Sequence, residues 1–204
     1  MKLFYAPGAC SMSPHIVAQE AGIELELEKV DTATKKTASG EDFWTINPKG
    51  YVPALQLDDG QLLTEGPAIV QYLADSKPDS KLAPTNGSLA RYRVQEMLNF
   101  ISTEIHKQFT PLFKPTTAPE QRQAQVELLG KRFALVEQWL KGKSYLFGDQ
   151  FTVADAYLFT VVNWCNFVKI DLAPWPGLQK YQARVAARPA VQAVLQAEGL
   201  AKKA

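Results

Sequence analysis

The chain has 204 residues, 46% hydrophobic and 21% charged, with a formal net charge of +1, the composition of a globular protein of one large or two small domains rather than of a disordered chain or a fibre. That +1 is the sum of an acidic first part, −6 over residues 1–80, and a basic remainder, +7 over residues 81–204, whose Lys and Arg are too scattered to suggest a nucleic-acid surface. Two distant cysteines without a CxxC and only two histidines argue against a disulfide framework or a metal cluster, and no apolar run is long enough to span a bilayer, so a cytoplasmic protein is expected.

In chain order, residues 2–5 read as a strand, residues 14–21 as a helix closed by Gly22, and residues 24–30 as a second strand, which together make one parallel unit. Between the first strand and the helix lies Ala6-Pro7-Gly8-Ala9-Cys10-Ser11-Met12-Ser13-Pro14, with Ser13 as the expected N-cap and Pro14 at the first helical position. A thiol at such a hand-over faces unpaired N–H groups and the positive end of the helix dipole, so Cys10 is expected to titrate below its ordinary value and to be reactive. His15, on the helix after the proline, has no visible partner and reads as structural.

After a polar stretch containing Lys35, residues 41–46 form a short helix. Residues 54–57 and 61–64 flank Asp58-Asp59-Gly60, a strong hairpin signal, and residues 67–76 close the first domain as a helix. Pro53 lacks an N–H and suits the first residue of a strand. Glu65 and Gly66 open the last helix. There a carboxylate can balance the helix dipole or hold an ammonium, while a backbone N–H can hold a carboxylate.

Residues 77–87 are polar, carry two prolines and a glycine, and read as a linker. The remainder shows helical spacing only, over residues 89–113, 119–140, 153–168, 177–187 and 190–196, giving a helix bundle. Thr152 and Asp155 form a capping-box pattern that is read as structural rather than catalytic, and Cys165, on an apolar helix, as an inert core thiol. On residues 94–112 the apolar Val94, Met97, Ile101, Ile105 and Leu112 share one face, with Asn99, Thr103, His106 and Thr110 nearly opposite. On composition alone that polar stripe is a solvated face.

Pro-Gly-Ala-Cys-Ser, Asn-Pro-Lys-Gly-x-Val-Pro-Ala-Leu, Leu-Leu-Thr-Glu-Gly and Phe-Thr-Val-Ala-Asp-Ala-Tyr-Leu-Phe, in this order and spacing over nearly the whole chain, resemble the bacterial beta class of cytosolic glutathione S-transferases. The resemblance implies a thioredoxin-like α/β domain (residues 1–80, glutathione-binding) followed by an all-helical domain (residues 88–204, acceptor site and dimer contacts). It implies a homodimeric detoxification enzyme that joins glutathione sulfur to electrophiles, chlorinated aromatics included, with glutathione-dependent redox or dehalogenation chemistry alongside. Glutathione is then a co-substrate, and no cofactor, membrane or nucleic-acid partner is expected.

Residue by residue, the resemblance places Cys10 at the sulfur, ahead of Tyr5 and Ser11, which occupy the positions other classes use. It puts Val52 on the cysteinyl part of glutathione through a cis Val52-Pro53 bond, Glu65 on the γ-glutamyl ammonium, Gly66 on the γ-glutamyl carboxylate and Lys35 on the glycine carboxylate. Asn99, Thr103 and His106 are to reach the glutathione of the neighbouring subunit. The alternatives are a low-turnover binder of hydrophobic ligands and a monothiol glutaredoxin-like reductase.

Overall fold

The computed structural model describes residues 1–201. They fall into two compact units, Met1–Ala83 together with the chain from Arg188 on, and Pro84–Ala187.

The first unit is built on a five-stranded sheet of order β3-β2-β1-β4-β5, with β1 Lys2–Tyr5, β2 Glu26–Asp31, β3 Lys36–Thr37, β4 Ala54–Gln56 and β5 Leu62–Thr64. β1 runs parallel to β2, as expected of a strand–helix–strand unit, while β4 pairs antiparallel with both β1 and β5. The two-residue β3 was not foreseen, being too short to show a period. Phe4, Ala6, Val30, Phe43, Val52 and Ala54 form a buried cluster of this unit.

Helix α1 spans Met12–Ala21 and ends at Gly22, whose φ of 64° supplies the left-handed cap. Its start departs from expectation. Ser11, not Ser13, is the N-cap, and Ser13 lies inside the first turn, where its hydroxyl donates to the Cys10 carbonyl at 2.9 Å. Pro14 is tolerated one turn in because the first N–H groups of a helix have no intrahelical acceptor. Helix α2 covers Phe43–Ile46, with the Asp42 carboxylate accepting from the Trp44 N–H, and α3 covers Gly66–Ser76.

The second unit opens after Ser88, whose hydroxyl accepts the Arg91 N–H, with α4, Leu89–Phe100. The single helix expected over 89–113 is instead three pieces: α4, a wide π turn over Ile101–His106 and a tight 3-10 segment over Lys107–Phe113 that contains Pro111. A wide turn followed by a tight one keeps the core face in step, because Val94, Leu98, Ile101, Ile105, Phe109 and Leu112 are all buried. Met97, expected on that face, is only partly buried.

Then come α5 Pro119–Trp139, α6 Val153–Asn163, α7 Cys165–Val168 and α8 Pro176–Ala186, the chain breaking at Trp164 inside the stretch read as one helix. Every residue of α6 from Val153 to Val162 is buried, so this helix is the axis of the unit. The α8 start is capped from α5, since Glu137 accepts the Gly177 and Leu178 N–H groups at 2.9 and 2.7 Å. A side chain at Gly177 would press within 2.9 Å of that carboxylate.

The final helix, α9 Pro189–Ala197, corrects the expected boundaries, because it packs with the first unit against α1 rather than closing the helical domain. Two polar ties hold it there: Arg188 grips both oxygens of Glu20 at 2.5 and 2.8 Å, and Glu198 is buried against α1 and the turn before it.

Candidate functional site

In the first unit the site begins where β1 runs out. The turn from Ala6 to Cys10 is held by the Ser11 hydroxyl, which accepts from the Ala6 N–H at 3.1 Å and donates to the Ala6 carbonyl at 3.2 Å. It is held again by Glu198, whose carboxylate accepts the Gly8 N–H at 2.8 Å and lies 2.9 Å from His15 Nδ1. His15, read from sequence as structural and partnerless, thus has a partner 183 residues away.

The turn delivers Cys10 to a second loop. There the Asn47 side chain donates to the Tyr51 carbonyl and accepts the Lys49 N–H, shaping the approach to Val52. Gly50, at φ 68°, lies so close to Trp44 that an added Cβ would sit 2.3 Å from the ring, so only glycine fits. The Val52-Pro53 bond is cis, and the Cys10 thiol donates to the Val52 carbonyl at 3.2 Å. Gly66 stands beside both Pro53 and Ser13, within 4.0 Å of each when extended by a Cβ. Cys10, Val52, Pro53 and Gly66, named from sequence one by one, are therefore brought together.

Glu65 joins them through backbone geometry. It takes φ 71°, a conformation that costs a side-chain-bearing residue about 1–3 kcal/mol and that collects at functional sites. Its carboxylate is 60% exposed and binds Lys49 at 2.7 Å, and the same ammonium donates to the Thr64 hydroxyl at 2.9 Å. Lys49 was not singled out from sequence, where nothing distinguishes it from a surface lysine. Lys35, also at positive φ, has its ammonium 5.8 Å from the centre of the Trp44 ring rather than on the Cys10 loop.

The expectation that Cys10 titrates low is overturned. Desolvation pushes its thiol up, to about 12, against the opposing pull of the Cys10 and Ser11 N–H groups, and the Glu65 charge adds to the rise. The helix start is present, but burial outweighs it, and the S–H is engaged as a donor to Val52. Cys165, buried as a core thiol should be, is likewise pushed up to about 12 by desolvation.

In the second unit the polar stripe is where the sequence put it. Asn99 and Thr103 are exposed, and the Thr103 hydroxyl donates to the Asn99 carbonyl at 3.1 Å. His106 is half-buried, with Nδ1 2.6 Å from the Tyr157 hydroxyl and its ring edge-on to Trp164 at 4.8 Å. Tyr157 was missed because it lies 51 residues on, in a helix that reads as uniform core. Among the described residues, no cluster of three or more His, Cys, Asp or Glu side chains could hold a metal ion, and no helix is long and apolar enough to cross a membrane.

A thiol donor on a strand-opening carbonyl, an exposed carboxylate at a helix start and the Gly66 N–H beside them make a site suited to a small zwitterionic thiol. The chain matches the glutathione S-transferase N-terminal domain over residues 1–75 and the glutathione S-transferase C-terminal domain over residues 100–189. It is 49% identical to the glutathione S-transferase GstA of Escherichia coli O157:H7 over 98% of this chain and 100% of that one. The chain belongs to the glutathione S-transferase family. Among solved structures it is similar to BphK, a bacterial member captured as a ternary complex, at 57% identity and a TM-score of 0.96 over 98% of this chain and 100% of that one. It is also similar to the bacterial beta-class enzyme of Sphingomonas chungbukensis, at 47% identity and a TM-score of 0.95 over 98% and 100%. The expected fold, a thioredoxin-like domain with a helical one, is thereby established, and with it the activity of a glutathione transferase.

Proposed function

We propose that this cytoplasmic transferase takes glutathione along the start of β4 and joins its sulfur to hydrophobic electrophiles, chlorinated aromatics among them. The observation that carries the reading is the Cys10 thiol on the Val52 carbonyl, which puts a sulfur donor on the backbone group that an added strand of glutathione would pair with. In this reading Glu65 receives the γ-glutamyl ammonium, the Gly66 N–H receives the γ-glutamyl carboxylate, and Lys35 swings from Trp44 to the glycine carboxylate.

The chemistry follows from charge. Glutathione sulfur must react as the thiolate. Cys10, held protonated by its surroundings, serves as an S–H donor to that thiolate rather than as a nucleophile of its own. The thiolate attacks the electrophilic carbon, the carbon–sulfur bond forms, and the carbon–chlorine bond breaks with chloride leaving. A protonated Cys10 also weighs against the monothiol reductase alternative, which needs a cysteine thiolate to attack a disulfide.

The same reading makes the enzyme a homodimer. The −6 and +7 parts favour two copies that set each acidic part against the partner's basic one, and the exposed Asn99 and Thr103, with His106, complete the partner's site. The test mixes a Cys10→Ala, Glu65→Gln double variant with a His106→Ala variant, confirms subunit exchange by native mass, and follows glutathione conjugation to 1-chloro-2,4-dinitrobenzene. In the heterodimer one site collects all three changes and the other is intact, so activity should exceed that of either parent. Activity at the average of the parents means that His106 does not act across the interface. Conjugation no faster than the uncatalysed reaction in the wild type would favour the ligand-binding alternative.

A further inference from the structure

The partner of His106 decides which proton the imidazole carries. Nδ1 lies 2.6 Å from the Tyr157 hydroxyl, and Tyr157 rises from the middle of α6, where every neighbour from Val153 to Val162 is buried. The imidazole is braced further by ring edges, Trp164 at 4.8 Å and Tyr157 itself at 5.8 Å, each inclined 77°. Its orientation is set by packing, not by free rotation about a side-chain bond.

At neutral pH phenols and imidazoles as classes are both uncharged, and in such a pair the phenol O–H is a stronger donor than an imidazole N–H while the bare imidazole nitrogen is a stronger acceptor than a phenol oxygen, so the phenol donates and the imidazole nitrogen accepts. A neutral imidazole has a single N–H. If Nδ1 accepts, that N–H is on Nε2.

We propose that Tyr157 is a positioning residue that fixes His106 as the Nε2–H form, so that His106 meets the glutathione sulfur as a hydrogen-bond donor and not as a base. The proposal rests on the reading that His106 serves a glutathione site. Its chemical content is separate: the thiol proton of glutathione leaves to water, and the Nε2–H stays on the ring to stabilise the thiolate left behind.

The test has a spectroscopic arm and a kinetic arm. In 15N-labelled protein at pH 8, with His106 assigned by comparison with a His106→Gln variant, the wild type should show a protonated Nε2 and an unprotonated Nδ1, and Tyr157→Phe should show the two forms mixed. The wild-type spectrum needs no variant of Tyr157 to fold, and a protonated Nδ1 in it overturns the proposal. Kinetically, glutamine carries an amide N–H2 where Nε2–H would stand and cannot act as a base, so His106→Gln should keep kcat within about threefold of wild type while His106→Ala loses about tenfold or more. Tyr157→Phe should lower kcat about threefold with the KM for glutathione unchanged. Glutamine no better than alanine overturns the donor role. Full activity in His106→Ala overturns the underlying reading of His106 instead, and the nitrogen spectrum still decides which proton Tyr157 fixes.

Discussion

Among the helix starts of this chain that present a carboxylate, those of α6 and α3 are opposites. At α6, Asp155 is fully buried and ringed by donors: the Leu146 N–H at 2.9 Å, the Thr152 N–H at 2.9 Å, the Thr152 hydroxyl at 2.8 Å and the Tyr181 hydroxyl at 3.1 Å. At α3, Glu65 is 60% exposed, sits at a positive φ of 71° and has the Lys49 ammonium on one oxygen. A carboxylate whose hydrogen-bonding capacity is met inside the fold is a fastener, and one left open to solvent on a strained backbone is free for a ligand. Burial, not the helix dipole common to both, separates the two roles. Cys10, at a third helix start, shows the same ordering, since desolvation raises its titration in spite of the N–H groups around it.

The largest expected effect lies at Asp155. Asp155→Ala leaves the Leu146 N–H, the Thr152 N–H and the Thr152 hydroxyl without their acceptor and the Tyr181 hydroxyl with only the residue 155 carbonyl, and should cost about 3 kcal/mol or more in urea unfolding, with the glutathione affinity of the folded fraction unchanged. Its pH dependence has a definite sign. Desolvation raises the Asp155 value in the folded state, so the stability it lends is full below pH ~4 and declines as pH climbs through the raised value. The advantage of wild type over Asp155→Asn should therefore shrink as pH rises. An advantage that grows would mean that the carboxylate is held charged.

Glu65 should show the reverse. Glu65→Gln is expected to weaken glutathione binding by about 1.5–3 kcal/mol, roughly tenfold to a hundredfold by calorimetry, while the unfolding midpoint stays put. A native variant with unchanged affinity returns Glu65 to balancing the α3 dipole.

For Cys10 the expected effect is a rate. With its thiol pushed up to about 12, alkylation by iodoacetamide at pH 7 should run at least ~10-fold slower than that of an ordinary cysteine and keep climbing past pH 9 without a plateau. By linkage, the stability Cys10 contributes is full below about pH 8.5 and falls as pH rises toward the folded value. A plateau near pH 7 in the wild type, absent from Cys10→Ala, would restore the reactive thiolate that the helix start alone suggests.

These contrasts also show what could be read from the chain beforehand. Gly22, Asp58-Asp59-Gly60 and the Thr152–Asp155 pair are local devices, in which a few adjacent residues satisfy one another, and each appears where the sequence put it. Cys10, Pro53 and Gly66 were legible because each marks a turn or an element start, and Val52 through the resemblance that names it. Partners that depend on the tertiary fold left no local trace: Glu198 for Gly8 and His15, Tyr157 for His106, and Lys49 for Glu65. The break of the 89–113 helix was hidden for another reason. The apolar spacing stays at helical period because the wide and tight turns offset each other, so a periodicity argument has nothing to detect. The titration of Cys10 is not legible beforehand because sequence shows the helix start but not the desolvation of the thiol or its engagement with the Val52 carbonyl.

The smallest expected effect lies in Lys49, and it is the sharpest test of whether Glu65 is open. Lys49 occupies the oxygen that the γ-glutamyl ammonium would approach, so its removal should free the carboxylate, but both partners are largely in solvent, where such pairs contribute little. Lys49→Met should therefore tighten glutathione binding by about twofold at low salt, and the gain should vanish at 0.5 M salt, where screening has already weakened the competing pair. The second oxygen of Glu65 keeps the effect small, because a ligand ammonium can use it while Lys49 stays in place. Calorimetric titration of wild type and variant at the two salt concentrations decides the matter. A tenfold loss of affinity on removing Lys49 would make the lysine a glutathione ligand in its own right, and Glu65 its holder rather than the receptor for the ammonium.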